Sequence, residues 1–512
     1  MSNAVVRTGF AALALCLCAG LAAAAVITVP GDQPTIQAGL NAARSGDTVL
    51  VMPGSYQENV SWPARDGIRL YSKDGPGATV IDGSGSGRVI AMSSSSILEA
   101  TELRGFTVTG GFLSPEGNRN HGAGIYINGG FPVIAGNIIR GNACVSDTIV
   151  AWNYGGGVYI SNSNRAGRRP EFRFNLIDSN VVDAGWGGWA YGAGIHVAGE
   201  GGAVFWQNVI RDNIARGSRP YAGGLYLTHS RTEEELDVSL LYSNLIIGNQ
   251  GTQSGGVWAG GGGNRLHNNT IAGNSGAGVY LTNSGFAEEQ VTVIRNNIIV
   301  GNTRGIFRVD NERLVADNSH NDVWNNSAGN YQNCAPGPGD ISADPLFATG
   351  QLGRHYLGHT AAGQPATSPC VDAGGSLPEL PMRLDTLVFR WTTRTDSVPD
   401  TPPVDIGYHY CLEGLPVGAA EPPARTPRVA ALALSPNPLT NGRATLRYSL
   451  PGKGPARVSV FDVTGRELLR QSTTGNQQST MPLDLRSLGA GVYLLKLEAE
   501  GFSATQKLVV QQ

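Results

Sequence analysis

Short apolar segments recur along the middle of the chain inside a polar frame that repeats. Each copy has an Asn, an aliphatic residue two positions later and a second Asn five positions later. Successive copies start 24 to 38 residues apart, after a degenerate copy at Phe106. The first asparagines of the seven copies are Asn137, Asn175, Asn208, Asn244, Asn269, Asn297 and Asn321. Self-similarity at such a period indicates a solenoid whose repeats stack on one another.

A second motif keeps a constant phase with the first and predicts a strand in each repeat. Glycines precede an aliphatic, an aromatic and another aliphatic residue, as in Val158, Tyr159 and Ile160. This alternation places the aliphatic side chains inward and the aromatic ones outward. Three inward rows, starting at Ile125, Ile134 and Ile139, predict a three-sided coil.

The asparagine rows fall between the predicted strands. Asn tolerates left-handed backbone dihedrals, so we expect these rows at the turns of the coil. Each Asn amide should then bond to the equivalent Asn one coil away. The glycine before each strand should form a sharp corner.

These patterns resemble the right-handed parallel β-helix of the pectin-lyase-like superfamily over residues 26–330. Residues 27–30, 34–37 and 46–50 are similar to the usual opening of such proteins. That likeness implies a short helix at about residues 34–43, capping the first coil. It implies an all-β fold, while function must be argued from a site.

After Asn326 the repeat fades. Residues 331–412 resemble the choice-of-anchor Q type segment that closes many bacterial β-helices, through motifs at 344–347, 368–374 and 405–410. This resemblance implies a cap over the open end of the solenoid. Residues 413–428 are rich in Pro, Ala and Gly and predict a linker.

Residues 429–512 alternate in a different way and predict a small β-sandwich. Strands are expected at 444–448, 457–461, 492–497 and 505–510. Motifs beginning at Ser435, Val460 and Leu488 resemble the C-terminal sorting domain of the type IX secretion system, and an Ig-like domain of the flagellar hook-cap type has a similar ending. The first resemblance implies secretion machinery as a partner, and a secreted or cell-surface location in a Gram-negative-type bacterium.

Residues 1–25 have the pattern of a secretory signal peptide, with Arg7 before an apolar run and small residues up to Ala25. Its removal would leave four of the six cysteines, Cys144, Cys334, Cys370 and Cys411. Four thiols in an oxidising compartment allow three pairings. We favour a Cys370–Cys411 disulfide, because these two flank one compact segment.

Composition narrows the function classes. The 512 residues carry a net charge of −3 and are only 15% charged, which excludes a strongly basic nucleic-acid-binding protein. Glycine accounts for 71 residues, as suits a long all-β chain with many turns. No later segment has the apolar length of a transmembrane helix.

Catalytic motifs are scarce. The superfamily includes polysaccharide lyases and hydrolases, but the Asn-Thr-Asp, paired Asp and Gly-His-Gly motifs of polygalacturonases are missing. A lyase needs a base beside Ca²⁺, and Lys73 is the only lysine before residue 453. Asp183, Arg211 and Asp212, with Asp178, are the catalytic candidates. Alternatively, they are ordinary charges of a solvated face.

The outward aromatic residues form the strongest candidate site. The row contains Tyr126, Tyr159, His196, Tyr226, Trp258, Tyr280 and Phe307. Loops beside it carry Trp152, Tyr154, Trp186, Trp189, Tyr191 and Tyr221. Exposed loop aromatics rarely serve packing, so the pattern favours binding of a glycan, whose C–H faces pack on aromatic rings. The alternative is a self-stacking ladder that only stabilises the sheet.

A weaker candidate is a Ca²⁺ site. Asp396, Asp400 and Asp405 supply oxygen ligands at a spacing that could hold the ion. Asp residues that cap turns would give the same pattern.

The sequence therefore predicts an exported bacterial surface protein that binds an extracellular polysaccharide or another surface ligand. Two alternatives remain open: a polysaccharide lyase or glycoside hydrolase that uses the same face, and a structural adhesin. Catalysis would require converging carboxylates or a basic residue beside the aromatic row.

Overall fold

The computed structural model describes two parts of the chain. The first part comprises residues 24–114, 119–146, 151–162, 168–185, 187–199, 201–228, 238–261, 263–283, 290–310, 313–376 and 384–412. The second comprises residues 432–435, 439, 442–449, 454–462, 466–475, 478–499 and 502–511. The predicted signal peptide, up to residue 23, and the predicted linker lie outside the described residues.

The first part is a right-handed parallel β-helix with three long sheets, which confirms the predicted three-sided coil. Sheet A contains Val26–Val29, Thr48–Val51, Arg69–Ser72, Glu102–Arg104, Val133–Ala135, Glu171–Arg173, Val204–Trp206, Leu240–Tyr242, Arg265–His267, Gln290–Arg295 and Leu314–Ser319. Sheet B contains Gly54–Gln57, Thr79–Asp82, Thr107–Thr109, Ile138–Arg140, Leu176–Asp178, Val209–Arg211, Leu245–Ile247, Thr270–Ala272, Ile298–Val300 and Asp322–Trp324. Sheet C contains Val60–Ser61, Ile90–Met92, Ile125–Asn128, Val158–Asn162, Ile195–Gly199, Leu225–Thr228, Ser254–Gly260, Ala277–Thr282, Arg304–Arg308 and Tyr331–Gln332.

The predicted inward rows form the core of this coil. Ile125 pairs with Val158, Ile134 with Phe172, and Ile139 with Ile177, one row in each sheet. The rows continue through later coils with fully buried side chains in a single apolar cluster. At its first end the cluster is covered by the helix Ile36–Ala42, within the predicted range.

Two asparagine ladders bond the coils together at the turns on either side of sheet B. Each amide bonds to the equivalent Asn of the next coil, as in Asn137 Nδ2 to Asn175 Oδ1 at 3.1 Å and Asn142 Nδ2 to Asn180 Oδ1 at 3.0 Å. The ladders end on Asp340, which occupies the position of Asn321 in the next coil, and on Asn330, which lies four residues after Asn326.

The sequence predicted a left-handed backbone conformation at the ladder Asn residues, and this prediction is wrong. That conformation occurs at the residue before each ladder Asn, for example Phe174, Gln207 and Ser243 with φ of 56°, 56° and 48°. The ladder Asn forms the cross-coil bonds, and the sharp turn falls on its predecessor.

Two further sheets extend the middle coils and were not predicted. Sheet D contains Phe112–Leu113, Ala143–Val145, Val181–Asp183 and Ile214–Arg216, and sheet E contains Arg119–His121, Trp152–Tyr154, Trp189–Tyr191 and Arg219–Pro220. A small core, mostly alanines with Cys144 and Val182, lies between them. Segments expected to be loops are therefore strands that carry aromatic side chains.

The closing segment covers the flank of the β-helix more than its end. Residues 330–341 complete the last coil, where Tyr331 pairs with Ile306 and Ile341 bridges to Asp322. The described residues of 345–411, which we call the strap, pack instead on the outward faces of sheets A and B. The strap contains strands Phe347–Gly350 and Gly353–Leu357, helix Leu384–Leu387 and 3₁₀ turns Thr360–Ala362 and Val388–Arg390.

The described cysteines form no disulfide, so the predicted Cys370–Cys411 bond is absent from the structure. Cys370 packs in one strap cluster and donates to Asp322 Oδ2 at 3.3 Å, whereas Cys411 belongs to another cluster, with Val204 and Leu240. The two thiols thus occupy separate apolar environments.

The second part forms two antiparallel sheets with an apolar core of their own. One sheet contains Leu432–Ser435, Arg443–Ser449 and Gln478–Asp484, and the other Glu467–Gly475, Gly454–Phe461, Gly491–Ala499 and Phe502–Val510. Four of these strands include the predicted ones, and each extends beyond them. Within the described ranges, no helix has the length and apolar character needed to cross a bilayer.

Candidate functional site

The predicted aromatic row is present on the outward side of sheet C. Each ring stacks on the equivalent ring of the next coil, with centroids 4.2–5.5 Å apart and planes within 6–23° of parallel. This inner column consists of Tyr126, Tyr159, His196, Tyr226, Trp258, Tyr280 and Phe307. Most of its rings are half-buried, and His196 and Trp258 are buried.

A second column runs beside the first, at the edge of sheet E. His121, Tyr154, Tyr191 and Tyr221 stack with centroids 4.8–4.9 Å apart. Its rings meet those of the inner column edge-on, for example Tyr191 against Tyr226 at 4.9 Å and 67°. This middle column therefore packs sheet E against sheet C through edge-to-face ring contacts.

An outer column completes what we call the aromatic face, formed by the three columns together. In sheet E, Arg119 pairs with Trp152, Trp152 with Trp189, and Trp189 with Arg219. The two indoles meet at 5.2 Å and 75°, unlike the parallel rings of the other columns. The Arg119 guanidinium lies 4.7 Å from the Trp152 ring centroid, and that of Arg219 lies 4.6 Å from Trp189.

The stacking changes what the face can offer a ligand. The rings of the inner and middle columns cover one another's faces, so they present edges and phenol tips to solvent. Among the described residues, no hydrogen bond reaches the hydroxyls of Tyr154, Tyr191 or Tyr221. The half-buried Trp152 and Trp189 lie at the outer margin, where their indoles are available for contact. Trp186, the other predicted contact, lies outside the described residues.

Burial keeps His121, His196 and Tyr154 of the face neutral at physiological pH. Burial, with the charges of Arg88 and Arg119, lowers the pKa of His121 to about 4, and burial lowers that of His196 to about 3. Burial also raises the pKa of Tyr154 to about 12. The described charged groups on the strands of the face are therefore arginines.

The catalytic candidates do not converge on this face. Asp178 and Arg211 lie on sheet B, where Asp178 Oδ2 is 3.0 Å from Arg140 and 3.6 Å from Arg211. Asp212 borders this network, with 4.0 Å to Arg211. Asp183 lies on sheet D, and its carboxylate accepts from the Gly185 amide. The buried Asp178–Arg211 pair is a structural ion pair between coils.

The predicted Ca²⁺ ligands are only partly brought together. Asp400 and Asp405 lie with His409 in a buried cluster, while Asp396 lies apart and pairs with Arg394. Asp400 Oδ2 accepts from the Asp405 amide and faces His409 Nε2, both at 2.9 Å. The Asp405 carboxylate accepts from the Asp372 amide and the Thr393 hydroxyl. These oxygens already accept protein hydrogen bonds. The cluster therefore cross-links parts of the strap and does not fit a Ca²⁺ site.

Sequence reasoning missed the arginines and His121 of the face. The spacing along the sequence was the available signal. Arg119 precedes Trp152 by 33 residues, and His121 precedes Tyr154 by the same number, as the strand pairing requires. The strands are only three residues long and lack the glycine-led motif, so this signal was overlooked.

Comparison with protein families identifies both parts of the chain. Residues 40–343, more than half of the chain, match the family described as "Periplasmic copper-binding protein (NosD)". The chain belongs to the NosD family. Residues 433–511 of this NosD-family protein match the "Secretion system C-terminal sorting domain", which confirms the type IX sorting prediction. No curated protein matches the chain.

The two matches establish the location of the protein. A sorting domain of this type directs its carrier through the type IX secretion machinery. This NosD-family member is therefore a secreted or cell-surface β-helix protein, as predicted.

Proposed function

We propose that this protein binds an extracellular polysaccharide through its aromatic face after export to the cell surface. The observation that carries the proposal is the Trp152–Trp189 pair, two half-buried indoles at the outer margin of a continuous aromatic surface. Large apolar side chains left accessible in a contiguous patch mark interaction sites. A cell-surface location supplies glycans as ligands.

Hydrogen bonding by the face suits the same class of ligand. The phenol groups of Tyr154, Tyr191 and Tyr221 repeat at the coil spacing, with ring centroids 4.9 Å apart. A Tyr hydroxyl both donates and accepts, as the hydroxyls of a sugar do. A row of such groups beside two indoles offers polar and apolar contacts along the β-helix axis.

A lyase or hydrolase finds less support. Asp183, Arg211 and Asp212 belong to sheets B and D or the turns beside them, and the strands that form the face contain no carboxylate that could act as an acid, base or nucleophile. The proposal is therefore non-catalytic binding. A purely structural adhesin would show neither binding nor turnover of polysaccharides.

The described residues offer no site that fits copper, which the description of the family names. Among the described residues, the one cluster of three potential metal ligands is Asp400, Asp405 and His409, which lies beyond the matched residues 40–343. Its groups are hydrogen-bonded to one another. Copper sites use Cys and His ligands among others, and no group of three His, Cys, Asp or Glu side chains converges in the described part of the β-helix.

The test is retention of the purified mature protein on a panel of immobilised extracellular polysaccharides. Trp152→Ala combined with Trp189→Ala should weaken binding at least tenfold. The thermal midpoint should move by only a few degrees, because both side chains are half-buried outside the main core. Trp324→Ala, a half-buried indole on sheet B, is the matched control and should bind normally.

Three results would contradict the proposal. Equal binding by the double variant and the control would remove the aromatic face from recognition. Release of new reducing or unsaturated ends would make the protein an enzyme. Absence of binding to every polysaccharide, in a folded protein, would favour the structural adhesin.

A further inference from the structure

The aromatic face is distinguished by the sign of its charges. No strand of sheets C and E contains Asp or Glu, and every residue of these strands is described. Sheets A, B and D contain Glu102, Asp178 and Asp183, among others. Sheet E, which has no acidic residue in its strands, contains Arg119 and Arg219. The face is therefore locally positive on a protein whose net charge is −3.

The two arginines of sheet E are exposed, and no acidic side chain among the described residues pairs with them. Within the described chain, no carboxylate lies within 4.0 Å of the guanidinium of Arg119 or Arg219. Arg173 on sheet A, by contrast, pairs with Glu171 at 2.7 Å and Glu102 at 3.3 Å. A guanidinium held over an indole keeps its in-plane N–H donors free.

The position of these groups gives the site a defined length. Arg119 and Arg219 lie at opposite ends of one column with Trp152 and Trp189 between them. Three coil steps of about 4.8 Å place the two positions about 14 Å apart. Charged groups thus bracket the apolar contact surface along the β-helix axis.

We infer that the ligand of the aromatic face is an anionic polysaccharide, and that Arg119 and Arg219 each bind one of its carboxylate or sulfate groups. The inference rests on the proposed function and specifies its ligand class. Guanidinium forks pair with planar oxyanions through two parallel hydrogen bonds, which adds orientation to charge. The indoles between them contact the sugar rings.

Single-stranded nucleic acid is the other anionic polymer that binds aromatic and basic surfaces. Its recognition requires open ring faces on which bases stack. In the inner and middle columns those faces are covered by neighbouring rings at 4.2–5.5 Å. The geometry therefore favours a glycan that contacts ring edges, phenols and the outer indoles.

The experiment compares matched polymers on the full mature protein. Dextran sulfate is measured against dextran, and polygalacturonate against its carboxyl-reduced form, by titration at 50 and 500 mM NaCl. At least one anionic member should bind tenfold or more tightly than its neutral counterpart. High salt should weaken that binding severalfold, because exposed charge pairs are screened.

Variants assign the effect to the two arginines. Arg119→Gln with Arg219→Gln should lose at least tenfold in affinity for the anionic polymer, and Arg119→Lys with Arg219→Lys should keep part of it. Arg104→Gln is the control, since Arg104 is exposed and lies 6.0 Å from the Tyr71 ring on sheet A. Thermal melts verify folding, and the Lys pair keeps the test valid should the Gln pair unfold.

The outcomes separate this inference from the proposed function. Equal binding of neutral and anionic polymers overturns the inference and leaves the proposed function standing. Wild-type affinity in the Gln pair also overturns the inference. Tighter binding of single-stranded DNA than of any glycan overturns it in favour of nucleic acid. Absence of binding to all glycans overturns the proposed function itself.

Discussion

Each ladder asparagine satisfies several buried backbone groups at once. The Asn244 amide nitrogen donates to the carbonyls of Phe205 and Tyr242 and to Asn269 Oδ1, at 2.9, 3.3 and 3.0 Å. Its oxygen accepts from the main-chain and side-chain nitrogens of Asn208, both at 3.0 Å. No other side chain of similar size combines these two donors and this acceptor.

Replacing Asn244 with Ala should therefore destabilise the β-helix. Each buried group left without a partner costs about 1–3 kcal/mol, so the unfolding free energy should fall by at least about 3 kcal/mol. Urea denaturation measures the loss. Asn128→Ala, at an exposed position of sheet C, should leave the midpoint nearly unchanged. Equal midpoints for the two variants would refute this role of the ladder.

The ladders also show what the sequence could and could not predict at this scale. The spacing of the asparagines predicted their stacking correctly, because one residue type makes the same bonds in every coil. The preceding left-handed residue is Gly or Asn in most coils, as at Gly136, Gly141 and Asn268, but it is Phe174 or Gln207 in others. Phe and Gln rarely adopt this conformation, so residue type alone does not locate the turn in every coil.

At the scale of elements, the strap is held by three apolar clusters and by polar contacts at its edges. Tyr356, Tyr408 and Tyr410 pack on outward side chains of sheet B, and Trp391 stacks on Trp206 of sheet A at 5.9 Å. Asn268 Nδ2 donates to the Asp405 carbonyl across 137 positions of sequence. Local periodicity carries no information on such distant pairs. The sequence therefore did not predict that the strap lies on the flank, and the resemblance of residues 331–412 placed it at the end of the solenoid.

One strap contact should make stability depend on pH. Burial raises the pKa of Asp322, beside Cys370, to about 6 from its usual 3.8. The folded state therefore holds this proton more tightly, and its stabilising effect is lost as pH rises from about 4 to 6. Asp322→Asn should gain stability relative to the wild type over that range, by at most about 2–3 kcal/mol.

Chemical denaturation of both proteins at pH 4, 5, 6 and 8 measures this difference. Other carboxylates titrate equally in the two proteins and cancel in the comparison. A stability difference that stays constant with pH would contradict the raised pKa. A difference that grows from pH 4 to 6 would confirm the raised pKa of Asp322.

For the whole molecule, the β-helix and the sorting domain have cores that share no residue. The large core and the strap clusters use residues of 29–411, and the second core uses residues of 439–510. The motifs at 435, 460 and 488 predicted the second unit because sorting requires a recognisable sequence. The proposed ligand class was less predictable, since aromatic stacking and the place of Arg119 and Arg219 depend on register between coils.

Deletion of residues 413–512 should leave the β-helix folded and abolish its export across the outer membrane. Independent cores allow separate folding. The truncated protein should melt as the β-helix does in the full chain and accumulate in the periplasm, as measured by calorimetry and cell fractionation. Surface display of the truncated protein at normal levels would contradict the role of the sorting domain.

The course of the strap sets how the molecule bears mechanical load. Its last residue in an apolar cluster, Cys411, packs with Val204 and Leu240, in the middle coils of the β-helix. A pull on the chain at Cys411 therefore acts on the side-chain contacts of the strap before it reaches the last coil.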